Sequence, residues 1–430
     1  MNASEAAIQI YKAALESVQP AVCMQRFLSL QGLQIILGDQ VFPLSQFTNI
    51  YVIGAGKATA AMALASEEIL GSRISVGIIA VKKDHGLPLK YIQQIEAGHP
   101  VPDEGSVAAA AAIVELLHKL TKDDLLIVLT SGGGSSLLTD LPGEIRLQEL
   151  RQVYGLLQQC GADIIESNTV RKHLSLLKGG GLAAQCNGAT VVNFIISDVI
   201  GNDLSVIASG PTVADETTAA DALAVLEKYA LTTKVSANIL AWLKSGSQQR
   251  SKPAKAAACF AKTFNYVIAD NKSALLAAKE KATALGYTTN IVAADVQGEA
   301  KTVAEWWVAL AKAQRPKTCL LAGGETTVTI KGNGKGGRNQ ELALAALALI
   351  NKEYKITILS AGTDGTDGPT NAAGAVVSLM MAEQATDKSR DIQSYLSNND
   401  AYHFFENTDG HIITGPTQTN VMDIMIALIG

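Results

Sequence analysis

Charge is in short supply in this sequence. Only 17% of its 430 residues are Asp, Glu, Lys or Arg, where a globular chain carries about 25%. Disorder requires low hydrophobicity and high net charge. With 48% apolar residues and a formal net charge of −5, most of the chain falls outside that class. Acidic residues outnumber basic ones, 40 to 35, so the basic excess of a nucleic-acid binder is missing. Aromatics are scarce, at 5%. The five cysteines, Cys23, Cys160, Cys186, Cys259 and Cys319, are odd in number and form no CxxC pair. That excludes a disulfide framework and leaves free thiols as the expectation. The six histidines show no HxxxH or HxH spacing, so no zinc site is expected. No apolar run approaches the roughly 18 residues of a membrane span, and the N-terminus lacks a signal peptide's basic start and apolar core. A soluble, cytoplasmic protein is expected. Its oligomeric state stays open, a homo-oligomer included.

Glycine, by contrast, is plentiful: 37 of 430 residues, against an average near 7%. At roughly 150 residues per domain, the length predicts two or three domains. Short apolar runs alternate with helical patterns. Asn49–Ile53, Ile74–Val81, Asp124–Thr130 and Thr190–Ser197 read as strands. Lys57–Leu70, Asp103–Leu120, Gln148–Gln159, Glu216–Ala230 and Val235–Leu243 read as helices. The run DLLIVLT from Asp124 is continuously apolar, as in a strand buried on both faces. Ser4 precedes the Ala6–Val18 pattern as the expected cap of a first helix. The segment Lys244–Ala257 is polar, serine-rich and without apolar period, which predicts a linker or long surface loop. Beyond it, strands are expected at Phe264–Ala269, Thr288–Ala293, Lys317–Ala322 and Lys355–Ala361. Helices are expected at Lys272–Leu285, Glu299–Gln314 and Arg338–Ile350, with Asn420–Gly430 as a strand or buried helix. The fold class is α/β, in two domains: a Rossmann-like, doubly wound, mostly parallel domain over 1–243 and a second α/β domain over 258–430, with 244–257 between them.

Most glycine clusters fall at the carboxyl ends of expected strands, where open α/β sheets bind ligands. Gly54-Ala55-Gly56-Lys57 follows the first strand. Ser131-Gly132-Gly133-Gly134-Ser135-Ser136 follows DLLIVLT. Gly323-Gly324-Glu325 follows CLLA, and Gly362–Gly368 follows ITILSA. A glycine after a strand needs no more than a tight turn to explain it. Four clusters accompanied by lysine, serine, threonine or acid point instead to backbone N–H groups bared for phosphate. Gly54-x-Gly56-x-x-Thr59 only partly matches the dinucleotide fingerprint. Threonine replaces its last glycine, and the next strand ends Ala80-Val81-Lys82-Lys83 without the ribose-binding acid. The Walker A spacing is absent as well. Lys57 at a helix start opposes the helix dipole, a cost understandable if it faces an anion.

Asp198 lies just beyond the apolar run TVVNFIIS. A carboxylate there caps a turn, holds Mg²⁺ on phosphate oxygens, or accepts a hydroxyl proton. The same options hold for Asp364 and Asp367. Arg338, after Lys335-Gly336-Gly337 and before a helix, can offer a planar fork to carboxylate or phosphate. Arg171 and Lys172 leave open a solvated helix face or an anion site. Phosphate cradles, carboxylates and cations together match phosphoryl transfer better than hydride transfer.

Long stretches of the chain resemble one family. They are VIGAGKATAAMA from Val52, TSGGGSSLL from Thr130, NTVRKHLSLLKGGGLA from Asn168, SDVIGNDLSVIASGPT from Ser197, LAGGETTVTIKGNGKGGRNQELAL from Leu321, AGTDGTDGPTNAAGAVV from Ala361 and TGPTQTNVMDIMIAL from Thr414. In these the chain resembles the type II glycerate kinases, glycerate 2-kinases with a C-terminal MOFRL domain, formerly described as hydroxypyruvate reductases. The resemblance implies transfer of phosphate from ATP, with Mg²⁺, to the 2-hydroxyl of D-glycerate in a cleft between two domains. It also implies that Lys57 and Arg338 are active-site cations. Asp198 and Asp364 are the candidates for base and metal ligand. Gly54, Gly56, Ser131, Gly132, Gly133, Gly134, Ser135, Gly323, Gly324 and Glu325 are candidates for the nucleotide cradle. The competing readings are an NAD(P)H-dependent hydroxypyruvate reductase and a non-catalytic sensor of a phosphorylated metabolite.

Overall fold

Two runs of seven consecutive residues, Leu125–Ser131 and Thr190–Ile196, are buried at every position. A strand can be apolar on both sides only where layers cover both faces of its sheet. Each fully buried Leu or Ile in such a strand contributes roughly 1.5–3 kcal/mol. These strands lie inside one of two units seen in a computed structural model, which describes residues 1–249, 257–351, 353–387, 391–406 and 408–430.

The first unit spans Cys23–Ile268. It begins with a three-stranded antiparallel meander, β1 (Leu28–Gln31), β2 (Gln34–Leu37) and β3 (Gln40–Pro43). The main sheet comprises β4 (Ile50–Ala55), β5 (Ile74–Lys82), β6 (Ile92–Ala97), β7 (Leu125–Ser131), β8 (Thr190–Ile196) and β9 (Thr263–Ala269). Its order is β6-β5-β4-β7-β8-β9. The pairs β4–β5, β5–β6, β4–β7 and β7–β8 are all parallel, as the βα alternation predicts. The chain runs outward from β4 to β6, then returns to β7 on the other side. The topological switch therefore falls between β4 and β7, where such sheets open a crevice. The helix Glu104–Leu117 starts at an Asp103–Ser106 capping box and places Ile113, Leu116 and Leu117 against Leu126 and Val128 of β7. A further layer of helices, Leu147–Gln159, Ile164–His173, Ala219–Lys228 and Ala237–Gln249, closes around its own core of Leu150, Val153, Val170, Leu226 and Ile239.

The second unit joins Met1–Val22 to Ala269–Gly430. Its first helix, Ala3–Ser17, is capped by Asn2 rather than Ser4: the Asn2 side chain accepts the Glu5 N–H at 2.8 Å, and Glu5 answers at 3.0 Å. It buries Ala6, Ala7, Ile10, Tyr11 and Ala14 at helical spacing. The Tyr11 hydroxyl donates to the Gly362 carbonyl at 2.7 Å. The sheet holds β10 (Thr288–Glu299), β11 (Thr318–Thr327), β12 (Ile356–Gly362), β13 (Gly374–Ser378), β14 (His411–Ile412) and β15 (Asp423–Ile429), in the order β10-β11-β15-β12-β13-β14. Only β10–β11 is parallel; β15 inserts antiparallel between β11 and β12, and β13 and β14 add antiparallel pairs. The second domain is α/β, as the alternation predicts, and its sheet is mixed. The apolar C-terminal segment, open between strand and helix, is a central strand. All seven of its residues are buried: after Asp423, Met425, Ala427 and Ile429 pack with the helices Ala300–Lys312 and Arg338–Leu349 in one core around Trp307, and the strand also contacts the helices Ala3–Ser17 and Asn271–Ala284.

These units differ from the division at 244–257. The first helix goes with the C-terminal sheet because its apolar stripe covers β12 and the helix Asn271–Ala284. Strand β9 joins the N-terminal sheet beside β8. Of the expected linker, Lys244–Gln249 continues a helix; 250–256 lies outside the described residues.

Candidate active site

The switch between β4 and β7 is built from glycines that have no room for a side chain. Gly54 sits within β4, not after it, and a Cβ there would come within 2.4 Å of the Leu129 carbonyl oxygen. Gly56 has φ +150°, and its Cβ would meet the Ser131 hydroxyl at 2.0 Å. The buried Ser131 hydroxyl accepts the Ala58 N–H at 3.0 Å and lies 3.4 Å from Thr59 Oγ1. The Lys57 N–H donates to the Gly132 carbonyl at 2.9 Å. Gly54, Gly56 and Ser131, expected in a nucleotide cradle, thus bind the two strand-end loops to each other and fix where half-buried Lys57 begins.

Asp198 and His99 close on the same loop. A Cβ on Gly132 would stand 1.8 Å from Asp198 Oδ2. Gly133 takes φ +83°, a left-handed conformation suited to glycine, and its Cβ would meet the His99 ring at 2.7 Å and Lys57 Cγ at 3.6 Å. Gly134 packs over the Ala55 carbonyl, with 2.8 Å to its Cβ position. Ser135 is tied to the Ser209 hydroxyl at 2.9 Å, which reaches Asn168 Oδ1 at 3.1 Å. Lys57, Gly132, Gly133, Ser135 and Asp198 are therefore brought together, as their positions after β4, β7 and β8 predict.

A cavity of about 450 Å³ opens here, lined by His99, Gly132, Gly133, Ser135, Asp198 and, from the helical layer, Arg151, Tyr154, Asn168 and Arg171. Burial, with the charges of Lys57, Lys82 and His85 behind it, pushes the His99 imidazole down to about 4. It is neutral at pH 7, a hydrogen-bonding group without charge. Arg171 stacks on the Tyr154 ring at 5.1 Å. Its neighbours turn inward: Lys172 and His173 are buried and each lie 3.5 Å from Asp215. The open alternative for this basic run resolves residue by residue, with Arg171 on the cavity and Lys172 in the fold.

In the second unit, Gly323, Gly324 and Glu325 are inside β11 and not in a loop beyond it. Gly323 and Gly324 pair with Ile424 and Asp423 of β15, and Gly324 also pairs with Val296 of β10. Gly323 leaves space for Asn271, whose Oδ1 would meet a Cβ at 1.9 Å. Sheet pairing engages the backbone that a phosphate cradle would need. Arg338 opens the helix Arg338–Leu349. It donates to Asp423 through Nε at 2.6 Å and Nη2 at 2.9 Å, and Nη1 lies 2.8 Å from Glu325. Burial opposes the Arg338 charge, but the bonded Asp423 carboxylate outweighs it and holds the pKa above its ordinary value. Asp367 caps this helix, accepting the N–H groups of Asn339 at 3.1 Å and Gln340 at 2.9 Å. Burial raises its carboxyl to about 6, against those backbone donors. Asp364 is half-buried, and its carboxylate accepts the Thr366 N–H at 3.1 Å, an Asx turn.

Among the described residues no cluster of three or more His, Cys, Asp or Glu could hold a metal. Mg²⁺ on a nucleotide needs only one or two carboxylates beside the phosphates. Sequence reasoning missed His99, Tyr154 and Asp423. His99 follows the weakly apolar strand β6. Tyr154 looks like one more residue of an amphipathic helix, and Asp423 like the cap of an apolar run.

Residues 6–244 match a family described as a domain of unknown function (DUF4147), and residues 318–423 match the MOFRL family. The chain is 37% identical to the D-glycerate 2-kinase of Thermotoga maritima, over 98% of this chain and 97% of that protein. It belongs to the glycerate kinase family. Glycerate kinase of Rattus norvegicus is 38% identical over 99% of this chain and 92% of its own. The crystal structure of a Thermotoga maritima glycerate kinase matches the fold with a TM-score of 0.84 at 34% identity, covering 99% of both chains. Membership in this kinase family makes the protein a phosphotransferase that takes its phosphoryl group from a nucleotide. No helix among the described residues is long and apolar enough to cross a membrane.

Proposed function

We propose that this member of the glycerate kinase family phosphorylates D-glycerate at its 2-hydroxyl, using ATP and Mg²⁺. The observation that carries the reading is the convergence of Lys57 and Asp198 on Gly132–Gly133 at the switch point of a parallel sheet. Asp198 orients the attacking hydroxyl and takes its proton as the oxygen–phosphorus bond forms and the nucleoside diphosphate leaves. Lys57 neutralises charge growing on the transferring phosphoryl oxygens. When bound, Mg²⁺ would neutralise the β- and γ-phosphate oxygens, with Asp198 or Asp364 as its carboxylate. Neutral His99 donates or accepts one hydrogen bond without adding charge. Catalysis of this kind is mostly positioning and electrostatics.

The reductase alternative is disfavoured by the switch point itself. A dinucleotide fingerprint needs its last glycine for close helix–strand packing, but Thr59 occupies that position, its hydroxyl 3.4 Å from the Leu129 carbonyl. The test is incubation with D-glycerate, ATP and Mg²⁺, followed by phosphorus NMR. 2-Phosphoglycerate is expected. 3-Phosphoglycerate as the sole initial product would refute the regiochemistry, and rapid oxidation of NADH or NADPH by hydroxypyruvate would overturn the kinase reading.

A further inference from the structure

Arg171 is a cation with no anion among the described residues. Its Nε is sealed from solvent and finds no hydrogen-bond partner, and the Tyr154 hydroxyl is sealed and unpartnered in the same way. The two groups stack on each other and line the cavity that holds Asp198. A protein normally satisfies such atoms, and this one does so for the basic side chains nearby. Lys172 and His173 share Asp215. Arg151, also on the cavity, donates to the Pro102 carbonyl at 2.7 Å and faces Glu104 at 3.5 Å. Stacking on Tyr154 holds the Arg171 fork in place while leaving its N–H groups unspent.

We propose that Arg171, steered by the Tyr154 ring, binds the carboxylate of the small hydroxy acid that accepts the phosphoryl group, and so sets the enzyme's requirement for an acid. The proposal rests on the kinase reading of this cavity. A carboxylate suits the site because it matches the planar fork of Arg171. A three-carbon hydroxy acid brings one anion for Arg171 and a hydroxyl for Asp198.

Steady-state kinetics of Arg171→Gln test this. The KM for D-glycerate should rise about 10- to 100-fold, the loss expected of a charge-assisted pair. The KM for ATP should stay within about twofold. The preference for D-glycerate over its uncharged amide should collapse, which a merely structural change would not produce. An unchanged KM for glycerate overturns the proposal, as does a rise confined to the KM for ATP. If R171Q does not fold, Arg171→Lys keeps charge and stem but loses the planar fork, and should still raise the glycerate KM about fivefold or more; an unchanged value there overturns the proposal. Calorimetric titration with D-glycerate separates the two readings. If the wild type turns over no glycerate yet binds it, and R171Q does not, the carboxylate site stands and the kinase reading falls. Equal binding to both, or binding to neither, overturns the carboxylate site.

Discussion

Arg338 and Asp423 form a two-armed pair, Nε to Oδ2 at 2.6 Å and Nη2 to Oδ1 at 2.9 Å. The pair ties the first residue of one helix to the first residue of the central strand β15. Asp423 is 1% exposed and also accepts from Asn339 Nδ2 at 2.9 Å. Arg338→Ala would strand that carboxylate in the fold, within reach of the Asp367 charge. We expect a loss of roughly 2–4 kcal/mol in urea unfolding, below the full cost of breaking a buried pair because Arg338 is partly exposed. Arg338→Lys keeps the charge but not the fork, so it should lose less stability while still losing activity. Full activity in R338K would count against the active-site role that the family resemblance implies for Arg338.

The Lys57 backbone N–H donates to the Gly132 carbonyl whatever side chain stands there. Lys57→Ala should keep its circular-dichroism melt within a few degrees of wild type and lose at least about a hundredfold in kcat, the scale of one electrostatic group at a reacting centre. Near-normal turnover in a well-folded K57A would refute its role.

Adjacent glycines should respond differently to a single methyl group. At Gly132 a Cβ strikes the Asp198 carboxylate, the movable end of a side chain, and the backbone φ is ordinary. Gly132→Ala should therefore cost kcat tenfold or more through displacement of Asp198, at about 1 kcal/mol or less in stability. At Gly133 φ is +83° and the ring of His99 stands in the way, so Gly133→Ala should lose roughly 1–3 kcal/mol as well as activity. Thermal unfolding measured beside kcat for both variants checks the contrast. Equal destabilisation would count against it.

The His99 imidazole, pushed down to about 4, gives a pH dependence of known sign. Its folded pKa lies below the unfolded value near 6.5, so between these values the unfolded chain binds more protons. The stabilisation is complete above about 6.5 and is lost as pH falls toward 4. His99→Gln should flatten the stability curve in that window. NMR titration of the His99 ring should find no midpoint between pH 6 and 8; one near 6.5 would contradict the burial argument.

The parallel sheet could be read along the chain because β7 and β8 are apolar at most positions, as strands covered on both faces are. Lys57 and Asp198 could be read because they follow such strands directly. The meander β1–β3 escaped notice because strands of four residues with polar positions, such as LSLQ from Leu28, carry too little period to register. The mixed pairing of the second sheet could not be read, because alternation records the order of elements and not where the last strand inserts.

Glycine shows the boundary most clearly. A missing Cβ is visible in any sequence, but its reason is not. The same residue permits a left-handed turn at Gly133, a close strand approach at Gly54, and room for Asn271 at Gly323. The composition, the βα order, the strand-end loops and family membership were determined by local pattern, which depends on neighbours along the chain. Which cation is spent and which is left for a ligand was decided only in three dimensions. Arg338 meets Asp423 across 85 residues and Arg171 meets Tyr154 from another helix, and electrostatic pairing depends on distance in space, not on separation in sequence.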